Sequence, residues 1–186
     1  MGNSTSTSQI PEPRIAKLFF ADTRLSILWL VLRVYVGWQW LEAGWAKVTN
    51  PAWVGPEAGS ALKGFLMGAL AKTQGSHPDV SGWYGAFIQN IALHNLALFS
   101  HTIAFGEVLV GIGLILGAFT GVAAFFGAFM NMNYLFAGTV STNPILFLTE
   151  LFLILAWRVA GHFGLDRFLL PLLGTPWQPG KFFKKK

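Results

Sequence analysis

Apolar residues run almost without interruption through four stretches of this chain, and turn-forming polar residues separate them. The first, residues 25–45, is closed by Asn50-Pro51; the second, residues 99–119, is followed at once by Thr120-Gly121. A third covers residues 121–138, and a fourth, residues 144–162, begins after the break at residues 139–144. About 20 apolar residues cross a bilayer as a helix, so the pattern predicts four membrane-spanning helices. Between the first two, Leu62, Phe65, Leu66, Ala69 and Leu70 recur at helical spacing while Lys63 and Lys72 fall on other faces. That spacing predicts an amphipathic helix lying on the membrane or capping the bundle. Residues 73–82 break it, and a helical pattern resumes at Trp83 and leads into the second span, with a bend at residues 90–95.

Composition agrees with this reading. Of 186 residues, 53% are hydrophobic and only 11% charged, and the mean hydropathy is +0.52. An average soluble domain has about 25% charged residues, so the expected class is an all-α integral membrane protein with one domain. The expected division is a tail and interfacial segment over residues 1–24, a membrane domain over 25–167 and a basic tail over 168–186. Residues 1–13 are polar and should be disordered, and a signal peptide is disfavoured because the first apolar run is long and contains Arg33 and Glu42.

The net charge of +5 sits mostly in the tails of a hydrophobic chain, so anionic lipid rather than nucleic acid is the expected counter-charge. Three Lys or Arg residues precede the first span, six lie from Arg158 onward, and three lie in the long connection. By the positive-inside rule both termini face the cytoplasm of a plasma-membrane protein, and the terminal Phe-Phe-Lys-Lys-Lys is an interfacial anchor. With no cysteine, the chain carries no disulfide, thiolate metal site or thiol relay of its own.

Charges inside spans are costly and mark function or pairing. Glu107 shares a helical stripe with Ser100, Ile103, Gly111, Leu114 and Ala118; Arg33 shares one with Gly37, Trp40, Gly44 and Lys47, while Glu42 points to the opposite side. Asn131 and Tyr134 align with Gly127, Gly138 and Ser141, and Glu150 aligns with Phe147, Ile154, Trp157 and Gly161. Helical rise puts Glu42, His101, Glu107, Tyr134, Asn143 and Glu150 in the outer half of the membrane and Arg33 near its middle, which predicts a buried Arg33–Glu107 pair. Carboxylates sharing a desolvated pocket suit proton exchange, and quinone reduction needs two protons beside an apolar groove. The candidate catalytic residues are therefore Glu107, Arg33 and Glu150, and the candidate quinone-binding residues Glu42, Lys47, His101, Asn131, Tyr134 and Asn143. The plainer alternative is that these groups only lock helix packing.

Other chemistry is disfavoured. His94 and His101 have no opposing histidine at their depth, so neither haem nor metal is expected. Gly111-x-Gly113 lies within a span, where its glycines serve packing.

The stretches Arg33-Val-Tyr-Val-Gly37-Trp-Gln-Trp-Leu-Glu42-Ala-Gly44-Trp-Ala-Lys47, Pro51-Ala-Trp53, Ala61-Leu-Lys-Gly-Phe65, Gly106-Glu107, Asn143-Pro144 and Ala156-Trp-Arg158 through Gly161 to Asp166-Arg167 together resemble the DoxX/DoxD family of small four-helix membrane proteins. The resemblance implies a cell-membrane subunit associated with thiosulfate:quinone oxidoreductase, in which thiosulfate is oxidised to tetrathionate and electrons reach the quinone pool. It also implies partner subunits, because the chain shows no flavin, haem or thiol with which to carry electrons alone. Two readings follow: a quinone-reactive subunit offering a buried polar pocket, or a noncatalytic subunit that anchors a larger membrane complex. A transporter ranks third, since no internal repeat is evident.

Overall fold

The computed structural model describes residues 11–175 and 178–183. The expected disorder of residues 1–10 and the closing lysines of the C-terminal anchor lie outside the described residues. Among the described residues the regular structure is all helical apart from a two-residue ladder pairing Gly174 with Pro179 and Thr175 with Gln178.

A short amphipathic helix, α1 (Arg14–Ala21), precedes α2 (Ser26–Val48). Between them the Asp22 carboxylate accepts from the Arg24 backbone N–H at 2.9 Å and from its guanidinium at 2.6 Å. That guanidinium holds the exposed Asp22 carboxyl below its usual range. After the Asn50-Pro51 turn come α3 (Ser60–Ala71) and α4 (Gly82–Phe87), and α5 (Leu96–Leu116), α6 (Thr120–Phe136) and α7 (Asn143–Leu155) follow. Pro144 sits in the first turn of α7, where its missing N–H has no helical partner to lose. A break at Ala156 separates α7 from the single turn α8 (Trp157–Ala160), and α9 (Asp166–Leu173) closes the helical part.

From Gly82 to Leu116 the backbone stays helical, with a π-helical turn at Ile88–Ala92 and a 3-10 turn at Leu93–Asn95, where the sequence pattern predicts a bend. This 35-residue run has a mean hydropathy of 1.7 over its best window and is, among the described residues, the one helical run clearly long and apolar enough to cross a membrane. Helix α2 has the length but carries Arg33, Glu42 and Lys47, and α6 and α7 are 17 and 13 residues long.

Helices α2 and α5 form the tightest pair. Glycines make that approach possible: a Cβ on Gly111 would lie 2.6 Å from the Leu41 backbone nitrogen, and one on Gly44 2.6 Å from the Val108 nitrogen. Helix α7 packs on α6, and α2, α5, α6 and α7 enclose a first core that includes Trp29, Val36, Trp40, Leu114, Ala124 and Leu153. A second core, with Leu62, Leu66, Val80, Tyr84, Ile88 and Ala137, ties α3 and α4 across one end of these helices. Helices α1, α8 and α9 gather at the other end.

Candidate functional site

The α2–α5 register decides which charges meet. With Gly44 against Glu107 and Val108, and Gly37 against Gly111 and Ile115, the two helices run antiparallel and Glu107 stands level with Gly44. Arg33 is eleven residues further along α2, about 16 Å by helical rise. Side chains also lean toward the N-terminus of their own helix, so Arg33 and Glu107 lean away from each other. The expected Arg33–Glu107 pair is therefore not formed. Glu107, 1% exposed, takes Lys47 instead: Nζ donates to Oε2 at 2.7 Å, and the other oxygen, Oε1, accepts from the Tyr134 hydroxyl at 2.5 Å.

A second carboxylate lies beside this group. Glu150 is fully buried, its Oε1 accepting from the Trp40 indole N–H and its Oε2 from Asn131 Nδ2 at 2.7 Å. Both partners are neutral donors. Gly127 makes the room, since a Cβ there would sit 2.5 Å from Glu150 Oε1 and 3.0 Å from Trp40 Nε1. The Trp40 and Tyr134 rings stack with centroids 6.4 Å apart and planes inclined by 26°, and Phe65 meets Tyr134 edge-on at 6.0 Å. Two acidic groups from α5 and α7 are thus joined through aromatic donors from α2 and α6. Among the described residues Asn131 Oδ1 is buried without a partner, an acceptor left free beside Glu150.

Lys47 is partly exposed, its side chain 21% accessible, and its ammonium lies 5.2 Å from the Trp53 ring centre. The Trp53 carbonyl is held by the Ser100 hydroxyl at 2.7 Å, which fixes the start of the α2–α3 connection against α5.

Arg33 belongs to a different knot, at the α9 end. Its Nη1 donates to the Leu114 and Ile115 carbonyls at 2.6 and 3.3 Å, and Nη2 to the Phe163 carbonyl at 3.4 Å. Beside it the buried Asp166 carboxylate accepts from the backbone N–H groups of Phe119 and Thr120, at 2.6 and 2.8 Å. The guanidinium thus fills carbonyls orphaned at the C-terminus of α5, and the carboxylate fills donors orphaned at the N-terminus of α6. The turn between them needs positive φ at Gly117 and Phe119, 64° and 50°, and Gly117 packs directly on Gly164.

Of the sequence candidates, Glu107, Glu150, Lys47, Asn131 and Tyr134 come together. Glu42 is exposed on the far side of α2. His101 binds the Ala97 carbonyl at 2.6 Å through Nδ1 and stacks on Phe105, and Asn143 donates to the Thr139 carbonyl at 2.9 Å. Neither joins the network. Sequence reasoning missed Trp40 and Asp166 as functional or structural anchors. Trp40 lies on the same stripe as Lys47, which was the available signal; Asp166 follows the fourth apolar stretch, where acidic residues are otherwise absent.

The distribution of polarity defines the class of protein. Arg33, Glu107, Asn131, Glu150 and Asp166 are buried, whereas Leu109, Phe125, Phe126, Phe129 and Leu148 are at least half exposed. Burying charge and exposing large apolar side chains is stable where the surroundings are lipid, so the chain is a helical membrane protein. A family model described as "TQO small subunit DoxD" matches residues 28–176. The chain belongs to the DoxD family, membrane subunits related to thiosulfate:quinone oxidoreductase. No curated protein and no solved structure matches it.

Proposed function

We propose that this chain is the membrane subunit of a quinone-linked oxidoreductase, in which the Lys47–Glu107–Tyr134 and Trp40–Glu150–Asn131 groups exchange protons with quinone. In this reading α2, α5, α6 and the α7–α8 unit cross the membrane as a four-helix bundle. Both termini are then cytoplasmic, and α3 and α4 cover the outer end.

The observation that carries the proposal is the juncture of two buried carboxylates through the Trp40–Tyr134 stack, with a partly exposed Lys47 paired to one of them. Oxidation of two thiosulfates to tetrathionate releases two electrons, and quinone accepts two electrons and two protons to become quinol. The electrons come from elsewhere in the complex. Protons need oxygen and nitrogen groups that can hold them out of water, and this chain supplies those. Lys47 and Glu107 compensate each other, while Glu150 faces only neutral donors, so the cluster can take up a proton without breaking an ion pair.

Membranes carrying Glu107→Gln or Glu150→Gln in an otherwise intact complex test this. Loss of thiosulfate-dependent quinone reduction with normal assembly supports the proposal; unchanged turnover in both leaves the chain an anchoring subunit.

A further inference from the structure

We infer that the α2 face bearing Trp38, Glu42 and Trp45 docks against a membrane-spanning helix of a different chain, one that presents a lysine or arginine at the level of Glu42. The inference rests on the reading of α2 as a membrane-crossing helix. Glu42 is exposed and, among the described residues, has neither a hydrogen bond nor an ion pair from its carboxylate. It stands between Trp38 and Trp45, 58% and 62% exposed, four residues before and three residues after it on the same face.

Depth makes the bare carboxylate costly. Glu42 is six residues short of Val48, the end of α2, and so about 9 Å below it. Its Cα–Cβ bond leans toward the N-terminus of α2, which in the proposed orientation is the inner side, so the side chain points deeper and not toward the outer surface. A carboxylate left in lipid at this level is avoided in membrane proteins, which pair such groups across helices.

Within its spans a second copy of the chain does not bring the needed cation. Arg33 is turned inward onto the Leu114, Ile115 and Phe163 carbonyls, and Lys47 is held by Glu107. The sequence has no lysine or arginine between Lys72 and Arg158. Lys63 and Lys72 lie in the connection beyond Val48, where Lys72 donates to the Gly138 carbonyl at 2.6 Å. The remaining cations lie before α2 or from Arg158 onward. The complement is therefore assigned to another polypeptide; the exposed Lys63 of a second copy is the competing source, which the crosslink below separates from it, and the two flanking indoles supply the flat aromatic contact that such interfaces use around a buried ion pair.

The test is a photo-crosslinking residue, benzoylphenylalanine, at position 38 of the full chain in native membranes, followed by sequencing of the crosslinked peptide. The expected result is a peptide from another protein's apolar helix containing Lys or Arg. Adduct yield should fall at least tenfold with Glu42→Lys and recover when that partner cation is changed to Glu. Adducts to lipid alone, to a second copy of this chain, or unaltered by Glu42→Lys overturn the inference. Because the chain has no cysteine, Glu42→Cys gives a separate readout. Rapid labelling of that position by a water-soluble maleimide in solubilised and in membrane-embedded protein alike would instead overturn the membrane-crossing reading of α2.

Discussion

Lys47 and Glu107 stand 2.7 Å apart on facing turns of α2 and α5, and the carboxylate keeps 1% of its surface exposed. The pair forms beside Gly44, one of the glycines that let the two backbones approach closely. Burying both charges offsets much of their attraction, so the pair as a whole is a poor source of net stability; removing one partner is a different matter.

Lys47→Met is expected to destabilise the protein by about 3–5 kcal/mol, the usual cost of stranding a buried charge. Adding Glu107→Gln to it should recover most of that loss, since an amide needs no cation. Thermal unfolding in mild detergent measures both. Equal, additive losses for the two substitutions would contradict the pairing.

Gly127 separates packing from chemistry. In Gly127→Ala the new methyl meets Glu150 Oε1 and Trp40 Nε1, the hydrogen-bonded atoms themselves. Overpacking of this kind costs about 1–3 kcal/mol, and the displaced carboxylate should in addition slow quinone reduction at least tenfold. Gly111→Ala, where the methyl's nearest atoms are the Leu41 backbone N and Cα and its Cβ, which cannot swing aside, should destabilise at least as much without touching a carboxylate and serves as the comparison. Assays at a temperature where both variants remain folded distinguish the two effects.

At the other end, Asp166→Ala removes the acceptor for the buried Thr120 N–H and the part-buried Phe119 N–H, and the opposite charge beside Arg33. Each unsatisfied donor costs about 1–3 kcal/mol, so this substitution should be among the most damaging outside the Lys47–Glu107 pair. Asp166→Asn keeps one acceptor oxygen and should recover part of the loss. Hydrogen exchange should report faster opening at Phe119 and Thr120 before anywhere in α2.

Much of this arrangement was legible in the residues alone. Helical periodicity put Glu107 on a small-residue stripe, Lys47 on the Gly37–Gly44 face, and Asn131 and Tyr134 together, and all of these meet. Pairing Arg33 with Glu107 assumes that the end of the first apolar stretch and the start of the second stand level. In the structure Glu107 is level with Gly44, four residues from the end of α2 at Val48 but eleven from the start of α5 at Leu96, so α5 projects past α2 and Arg33 lies about 16 Å from Glu107 along the helix. Helical periodicity places Trp40 on the Arg33–Lys47 stripe without naming its partner; only the packing of α7 against α6 and α2 brings the Glu150 carboxylate to its indole N–H. The capping by Asp166 was hidden because it joins residues 47 positions apart through a turn whose geometry no local pattern encodes.

The most direct test of proton exchange at the paired carboxylates is infrared difference spectroscopy of the intact complex as quinone is reduced. The account predicts a carboxyl C=O change that disappears in Glu150→Gln and shifts in Tyr134→Phe. A difference spectrum identical in wild type, Glu107→Gln and Glu150→Gln would contradict it.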